Sequence, residues 1–401
     1  MSDQATLEPS TPRLWIESLA AAPSPEEFLA ELCQRLVEAG VPLHRAAVFQ
    51  RTLHPNVMGR RYVWRAGGGV AVSEAPRSAL QSDEFLDNPI RVVFRDGQSI
   101  RRRLEDPTVE IDYPVLDEFR AEGATDYYVY ALPFTNGEIH ATSWTTNRPG
   151  GFSASDVAML DSIRLPLTRL VEICALRRTA ITLLDTYVGH GAGERILSGR
   201  ITRGDAETIH AVTWLSDLRG FTQLAEDLAG EKLLHLLNDY FDAIVPAIEE
   251  QGGEVLKFMG DGLLAIFPVG TETRDEAAAS QAALAAARAA RERMAARNAK
   301  AERKGHPVLR FGIALTMGDV LFGNIGGMSR LDFTTIGRSV NVAARLEGLA
   351  AELARDIVLT APVAGHCLDE VESLGRHTLR GLREPIEVFA LPSGSGQHAQ
   401  L

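Results

Sequence analysis

The chain has little cysteine: three residues in 401, Cys33, Cys174 and Cys367, far apart from one another. That scatter excludes a cysteine metal-binding pattern and a disulfide framework, and it fits reduced thiols in a cytoplasmic protein. No apolar run reaches the ~18–20 residues that a membrane-spanning helix needs. The opening Met1-Ser-Asp-Gln-Ala-Thr lacks the basic and apolar regions of a secretory signal. Positive charge is also short: 41 Lys and Arg stand against 53 Asp and Glu, a formal net charge of −12. A balance of that sign argues against nucleic acid or an anionic membrane as partner. What is present is ordinary for a globular protein, 45% apolar and 23% charged. The length suits two or three domains, each with a core of its own.

Residues 1–13 are polar and contain proline, and are expected to be a disordered tail, as are 393–401. Pro23-Ser24-Pro25 opens a helix over 25–39, with Phe28, Leu29, Leu32, Leu36 and Val37 on one face and Gly40 as its stop. Strands are expected at 44–52, 61–66, 126–134 and 138–146, the last two joined by Thr135-Asn136-Gly137, a hairpin signal. Ser153 is placed to cap a long helix. Within that helix Ile163, Leu170, Arg177 and Leu184 recur every seven residues, as do Leu167, Cys174, Ile181 and Val188. Only Arg177 breaks the apolar heptad, so the spacing predicts a coiled coil between two copies of the chain. Pro166 is expected in its first turn. Residues 14–162 resemble a GAF-type sensor domain in the order of their elements, most closely over 129–160. The resemblance implies an unidentified small-molecule or protein signal at the front of the chain.

Residues 163–204 are read as a dimerising helix and a glycine-rich linker, and 205–392 as a second domain of strands alternating with helices. Strands are expected at 209–216, 254–259, 263–267, 309–316, 320–323, 357–359 and 386–391. Helices are expected at 222–228, 231–250, 275–302 and 338–353. The fold class is α+β, helices over a mixed sheet.

Two carboxylates stand out. Asp217 ends the apolar run Ala211-Val-Thr-Trp-Leu-Ser and precedes Leu-Arg-Gly-Phe-Thr. Asp261 sits in Lys257-Phe-Met-Gly-Asp-Gly262. An Asp beside Gly is by itself a turn residue. Two of them at neighbouring strand ends could hold a pair of hard cations against a triphosphate. The amides of Phe221 and Thr222 open the next helix, where phosphate oxygens bind well. Asn341 and Arg345 are four apart on a helix and so share a face, and the same helix is expected to bury Val340, Ala344 and Leu346 or Leu349.

Ser216-Asp-Leu-Arg-Gly-Phe-Thr222, Lys257-Phe-Met-Gly-Asp261, Gly318-Asp-Val-Leu-Phe-Gly-Asn-Ile-Gly326 and Phe333-Thr-Thr-Ile-Gly-Arg-Ser-Val-Asn-Val-Ala-Ala-Arg-Leu-Glu347 together resemble the catalytic domain of class III nucleotidyl cyclases. The resemblance implies conversion of ATP to 3′,5′-cyclic AMP and pyrophosphate, with two Mg²⁺ or Mn²⁺ per site. Asp217, Asp261 and the Leu218 carbonyl would be the metal ligands. Arg345 would steady the transition state, Asn341 would orient the ribose, and Arg380 falls where the family usually has a phosphate-binding lysine. Lys257 and Thr334 would read the base, a Lys/Thr pairing of bacterial-type adenylate cyclases. The resemblance also implies a head-to-tail homodimer whose two sites each draw residues from both chains. A guanylate cyclase and a catalytically silent nucleotide-binding scaffold are the alternatives. A diguanylate cyclase is disfavoured because Gly260-Asp261-Gly262 lacks a run of acidic residues.

Overall fold

The computed structural model describes residues 11–53, 56–106, 108, 111–270 and 274–392. The chain forms two compact units that divide between Leu183 and Leu184.

The front unit begins with α1 (Pro12–Ser18), α2 (Pro25–Glu38), β1 (Arg45–Arg51), β2 (Val57–Arg65) and β3 (Val70–Pro76). Then come α3 (Asp83–Leu86), α4 (Pro89–Asp96), β4 (Ile100–Arg103), α5 (Pro114–Ala121), β5 (Asp126–Pro133), β6 (Ile139–Thr146) and α6 (Ala154–Val188). Its sheet runs β3-β2-β1-β6-β5-β4, with every pairing antiparallel. One face packs on α1, α2 and α6 through Phe28, Leu32, Trp144 and Leu167; the other packs on α4 and α5 through Val93, Leu116 and Val129.

Local chemistry explains most of these boundaries. Ser24 and Glu27 form a reciprocal cap, each side chain taking the other's backbone N–H, and Pro25 fills the first helical position. Ser153 accepts the Asp156 amide while Asp156 takes the Ser153 amide, so α6 starts nine residues before the apolar heptad. Gly137, at φ 86°, closes the turn between β5 and β6.

Several expectations fail here. Residues 11–13 are no tail: Thr11 caps α1, whose Trp15 is buried and stacks on Phe28 at 5.6 Å. Residues 1–10 and 393–401 lie outside the described residues. Pro166 stands in the interior of α6, where its missing N–H costs one helical hydrogen bond. The heptad positions Ile163, Leu167 and Leu170 are buried in the front unit's own core and are closed to a second chain. The apolar side chains that α6 leaves exposed are Leu165, Ile173, Leu176 and Tyr187, on a different face.

The back unit contains α7 (His190–Leu197), β7 (Ala206–Arg219), α8 (Phe221–Asp227), α9 (Gly230–Glu249), β8 (Glu254–Met259), β9 (Gly262–Pro268) and α10 (Glu276–Arg303). It ends with β10 (Arg310–Gly326), β11 (Leu331–Ile336), α11 (Arg338–Glu352), β12 (Ile357–Thr360), α12 (Ala361–Ala364), β13 (Glu372–His377) and β14 (Ile386–Ala390). The sheet order is β13-β14-β12-β10-β7-β9-β8, with β11 also paired to β10. β10 is one 17-residue strand where the sequence suggested two, because the glycine at 318 is extended and does not turn. Residues 190–197, expected in a linker, are helical. Gly191 donates its N–H to Glu254 Oε1 at 2.9 Å, and a side chain at Gly193 would press on Leu184. These glycines are there for close packing. α9 and α10 cover one face of the sheet through Ile244, Ile248, Ala283 and Ala287; α11 covers part of the other through Ala343 and Leu346.

Candidate active site

β7 carries Asp217 to within two residues of its end, opposite Gly312 of β10. On its other side β7 pairs with β9, Ser216 facing Leu263. β9 is joined to β8 by a hairpin of Gly260 and Asp261, with Met259 paired to Gly262 and Gly260 at φ 68°. The turn therefore sets Asp261 beside Asp217. A Cβ on Gly262 would stand 3.1 Å from the Ser216 carbonyl and 3.2 Å from Asp217 Oδ1, so only glycine leaves the approach clear.

The two carboxylates repel. Asp217 is half-buried, and burial, then the charge and proximity of Asp261, then Glu347, push its carboxyl up to about 7; the Leu218 amide, donating at 3.1 Å, opposes this. Glu347 on α11 is also pushed up, by burial and by Asp261, against the pull of Arg219. Tyr240 of α9 is fully buried beside Ser216 and the pair, and burial with their charge raises its hydroxyl. This is a crowded negative pocket whose donors are hard oxygens, the chemistry that suits Mg²⁺ or Mn²⁺. Among the described residues no group of three or more His, Cys, Asp and Glu could hold a metal alone. Asp217 and Asp261 with the Leu218 carbonyl fit an ion that takes its remaining oxygens from substrate and water.

Gly220, at φ 74°, turns the chain from β7 into α8, and no side chain caps the first amides at Phe221 and Thr222. They remain free to meet an anion.

A second group gathers on β8, β11 and α11. Lys257 Nζ lies 2.7 Å from Asp332 Oδ2. On β11, Phe333 and Thr335 are buried, so Asp332 and Thr334 share the opposite face. Lys257 and Thr334 are thus brought to one place by a residue that sequence reading missed. The ion pair spans 75 positions and leaves no local signature. Asn341 and Arg345 are exposed on α11, and neither side chain has a hydrogen bond or ion pair among the described residues. Arg345 lies over Gly381: a Cβ there would meet its Nη1 at 3.1 Å, which brings Arg345 next to the loop of Arg380. Ala343 and Ala350, not Ala344, are the buried alanines of α11. Glu347 was also missed as a site residue. Two residues past Arg345 it stands about 200° around the helix, facing the aspartates while Arg345 faces out.

Residues 205–393 match the adenylate and guanylate cyclase catalytic domain family. An adenylate cyclase of Anabaena cylindrica is 33% identical over 160 residues, 40% of this chain and 31% of that protein. An uncharacterized protein of Mycobacterium tuberculosis is 34% identical over 405 residues, 94% of this chain and 64% of its own length. Adenylate cyclase 1 of Rhizobium meliloti is 29% identical over 178 residues, 43% of this chain and 26% of that protein. The matches thus span less than two thirds of each relative. Among solved structures, the adenylyl cyclase CyaB of P. aeruginosa superposes with a TM-score of 0.42 at 26% identity, covering 47% of this chain and 97% of that one. Over residues 205–393 the back unit is therefore similar to nucleotidyl cyclase catalytic domains.

Proposed function

We propose that the protein is an adenylate cyclase of the bacterial Lys/Thr type, converting ATP to 3′,5′-cyclic AMP and pyrophosphate. The observation that carries the reading is the opposed placement on α11. Glu347 joins the Asp217–Asp261 pair on one side, while unpartnered Asn341 and Arg345 face solvent on the other. A site that needs both sets is completed by a second copy.

Asp217, Asp261 and the Leu218 carbonyl would hold two divalent ions, which when bound make the ribose 3′-hydroxyl more acidic and offset the triphosphate charge. Arg345 places a fork of donors on the oxygens of the α-phosphorus, where charge grows as the 3′-oxygen bond forms and pyrophosphate leaves. Asn341 orients the ribose by hydrogen bonding. Arg380 and the amides of Phe221 and Thr222 take the outer phosphates. Lys257, held by Asp332, donates to a ring nitrogen of adenine, and the Thr334 hydroxyl accepts from the exocyclic amine. The exposed apolar side chains Phe258, Met259, Leu331 and Ile336 on β8 and β11 give the homodimer a surface to close over.

The test is complementation. Asp217→Ala and Arg345→Ala should each lose at least ~100-fold in kcat, and mixing them should restore activity, since one site of each heterodimer is intact. Heterodimers that stay inactive would rule out the shared site. Assay of the wild type with ATP and with GTP separates the adenylate reading from a guanylate cyclase, and no product from either supports a silent scaffold.

A further inference from the structure

The front unit carries a second constellation, and the case for it rests on nothing in the back unit. Two adjoining hollows lie between β1 and β2 on one side and α6 on the other. The apolar one is walled by Phe28, Leu29, Val48, Tyr62, Val171 and Cys174. The polar one is walled by Arg51, Thr52, Arg60, Arg178, Thr179 and Thr182, and opens to solvent. Their ≈ 340 Å³ and ≈ 370 Å³ include open solvent at the mouths, and the space closed off in each is ≈ 20 Å³.

Gln50 lines both. It is only 6% exposed, yet its amide has no hydrogen-bond partner among the described residues. Its polar atoms are not sealed from water, so the amide is open to whatever enters the cleft. Arg60 is engaged by Glu74. Arg51 and Arg178 make no side-chain hydrogen bond or ion pair among the described residues, and no carboxylate lines the polar hollow. The nearby acid at the apolar end is Glu26, which acts on Tyr62 and Cys174. Two free guanidinium forks with threonine hydroxyls match the oxygens of a carboxylate or phosphate. An apolar hollow alongside matches an alkyl or aryl body.

We propose that this cleft binds a small organic anion, its charged head under Arg51 and Arg178, its body among Phe28, Val48 and Val171, and Gln50 bonding at the junction. Bound there, it would tie α6 to β1.

Calorimetry on the full-length chain tests this with octanoate and octyl phosphate as probes, against octanol and inorganic phosphate. Either amphiphile should bind at one site, more tightly than both controls, and the tighter of the two names the head group. Arg51→Ala and Arg178→Ala should each weaken binding about tenfold; both residues are exposed, so an unchanged Tm verifies the fold. Octanol binding as well as octanoate, inorganic phosphate binding as well as octyl phosphate, affinity indifferent to both arginines, or no binding of either amphiphile would each overturn the proposal.

Discussion

At the scale of single residues, two side chains decide more than their exposure suggests. Asp332 is open to solvent, but its pairing with Lys257 fixes where the ammonium sits on β8. An exposed ion pair adds little to stability, at most about 1 kcal/mol; its value lies in orienting a donor. On the proposed reading, Asp332→Ala should leave thermal unfolding nearly unchanged and raise the KM for the nucleotide about tenfold, with kcat less affected. A drop in Tm with KM unchanged would assign Asp332 a purely structural role. His140 does the reverse. It is 1% exposed, stacks on Phe134, takes the Arg51 amide on Nδ1, and leaves Nε2 3.7 Å from Glu138. Burial pushes it down to about 4. The unfolded chain then binds a proton near pH 6.5 that the folded chain refuses until about 4. Stability is full above pH 6.5 and falls as pH drops from 6.5 towards 4. The loss is on the order of 3 kcal/mol. Denaturant melts of the front unit's transition should show that slope, and His140→Gln should flatten it.

At the scale of elements, α6 teaches the most. A seven-residue repeat says that a helix has an apolar stripe, but not what covers it. Ile163, Leu167 and Leu170 keep the repeat because the front unit's own sheet lies beneath them. The spacing carries no mark that separates this from a second chain. The face left open holds Ile173, Leu176, Ala180 and Tyr187, spaced three, four and seven. If two copies meet along α6, they meet there. Leu176→Glu should shift sedimentation from dimer to monomer and lower cyclic nucleotide output, while the front unit unfolds at an unchanged denaturant midpoint. A dimer that persists would remove α6 from the interface. Of the strands missed by sequence, which include β3 and β11, two share a cause. β4 reads Ile-Arg-Arg-Arg and β13 reads Glu-Ser-Leu-Gly-Arg-His, each at an edge of its sheet where one side of the pairing faces water. Without a buried face they carry no alternation to find. α7 was missed because its glycines, chosen for close approach to Glu254 and Leu184, look like those of a linker.

At the scale of the molecule, the legible parts were those where local rules and the final fold agree. Asp217 and Asp261 could be found because an apolar strand must be followed by a turn, and the turn needs glycine. Their meeting could not, since it depends on β7 lying between β9 and β10. That order has a consequence in time. β10 pairs with β7 along most of its length, from Arg219 with Arg310 to Ala206 with Gly323, joining residues 91 to 117 positions apart. Asp217 leaves the ribosome long before the strand that braces it. Contacts so distant close slowly, and at ~5–20 residues per second the nascent chain carries an unbraced β7 for several seconds, its apolar edge without a neighbour. Until β10 is made, the back unit has no site at all, and in that interval the chain is most open to misassembly with its neighbours on the same message.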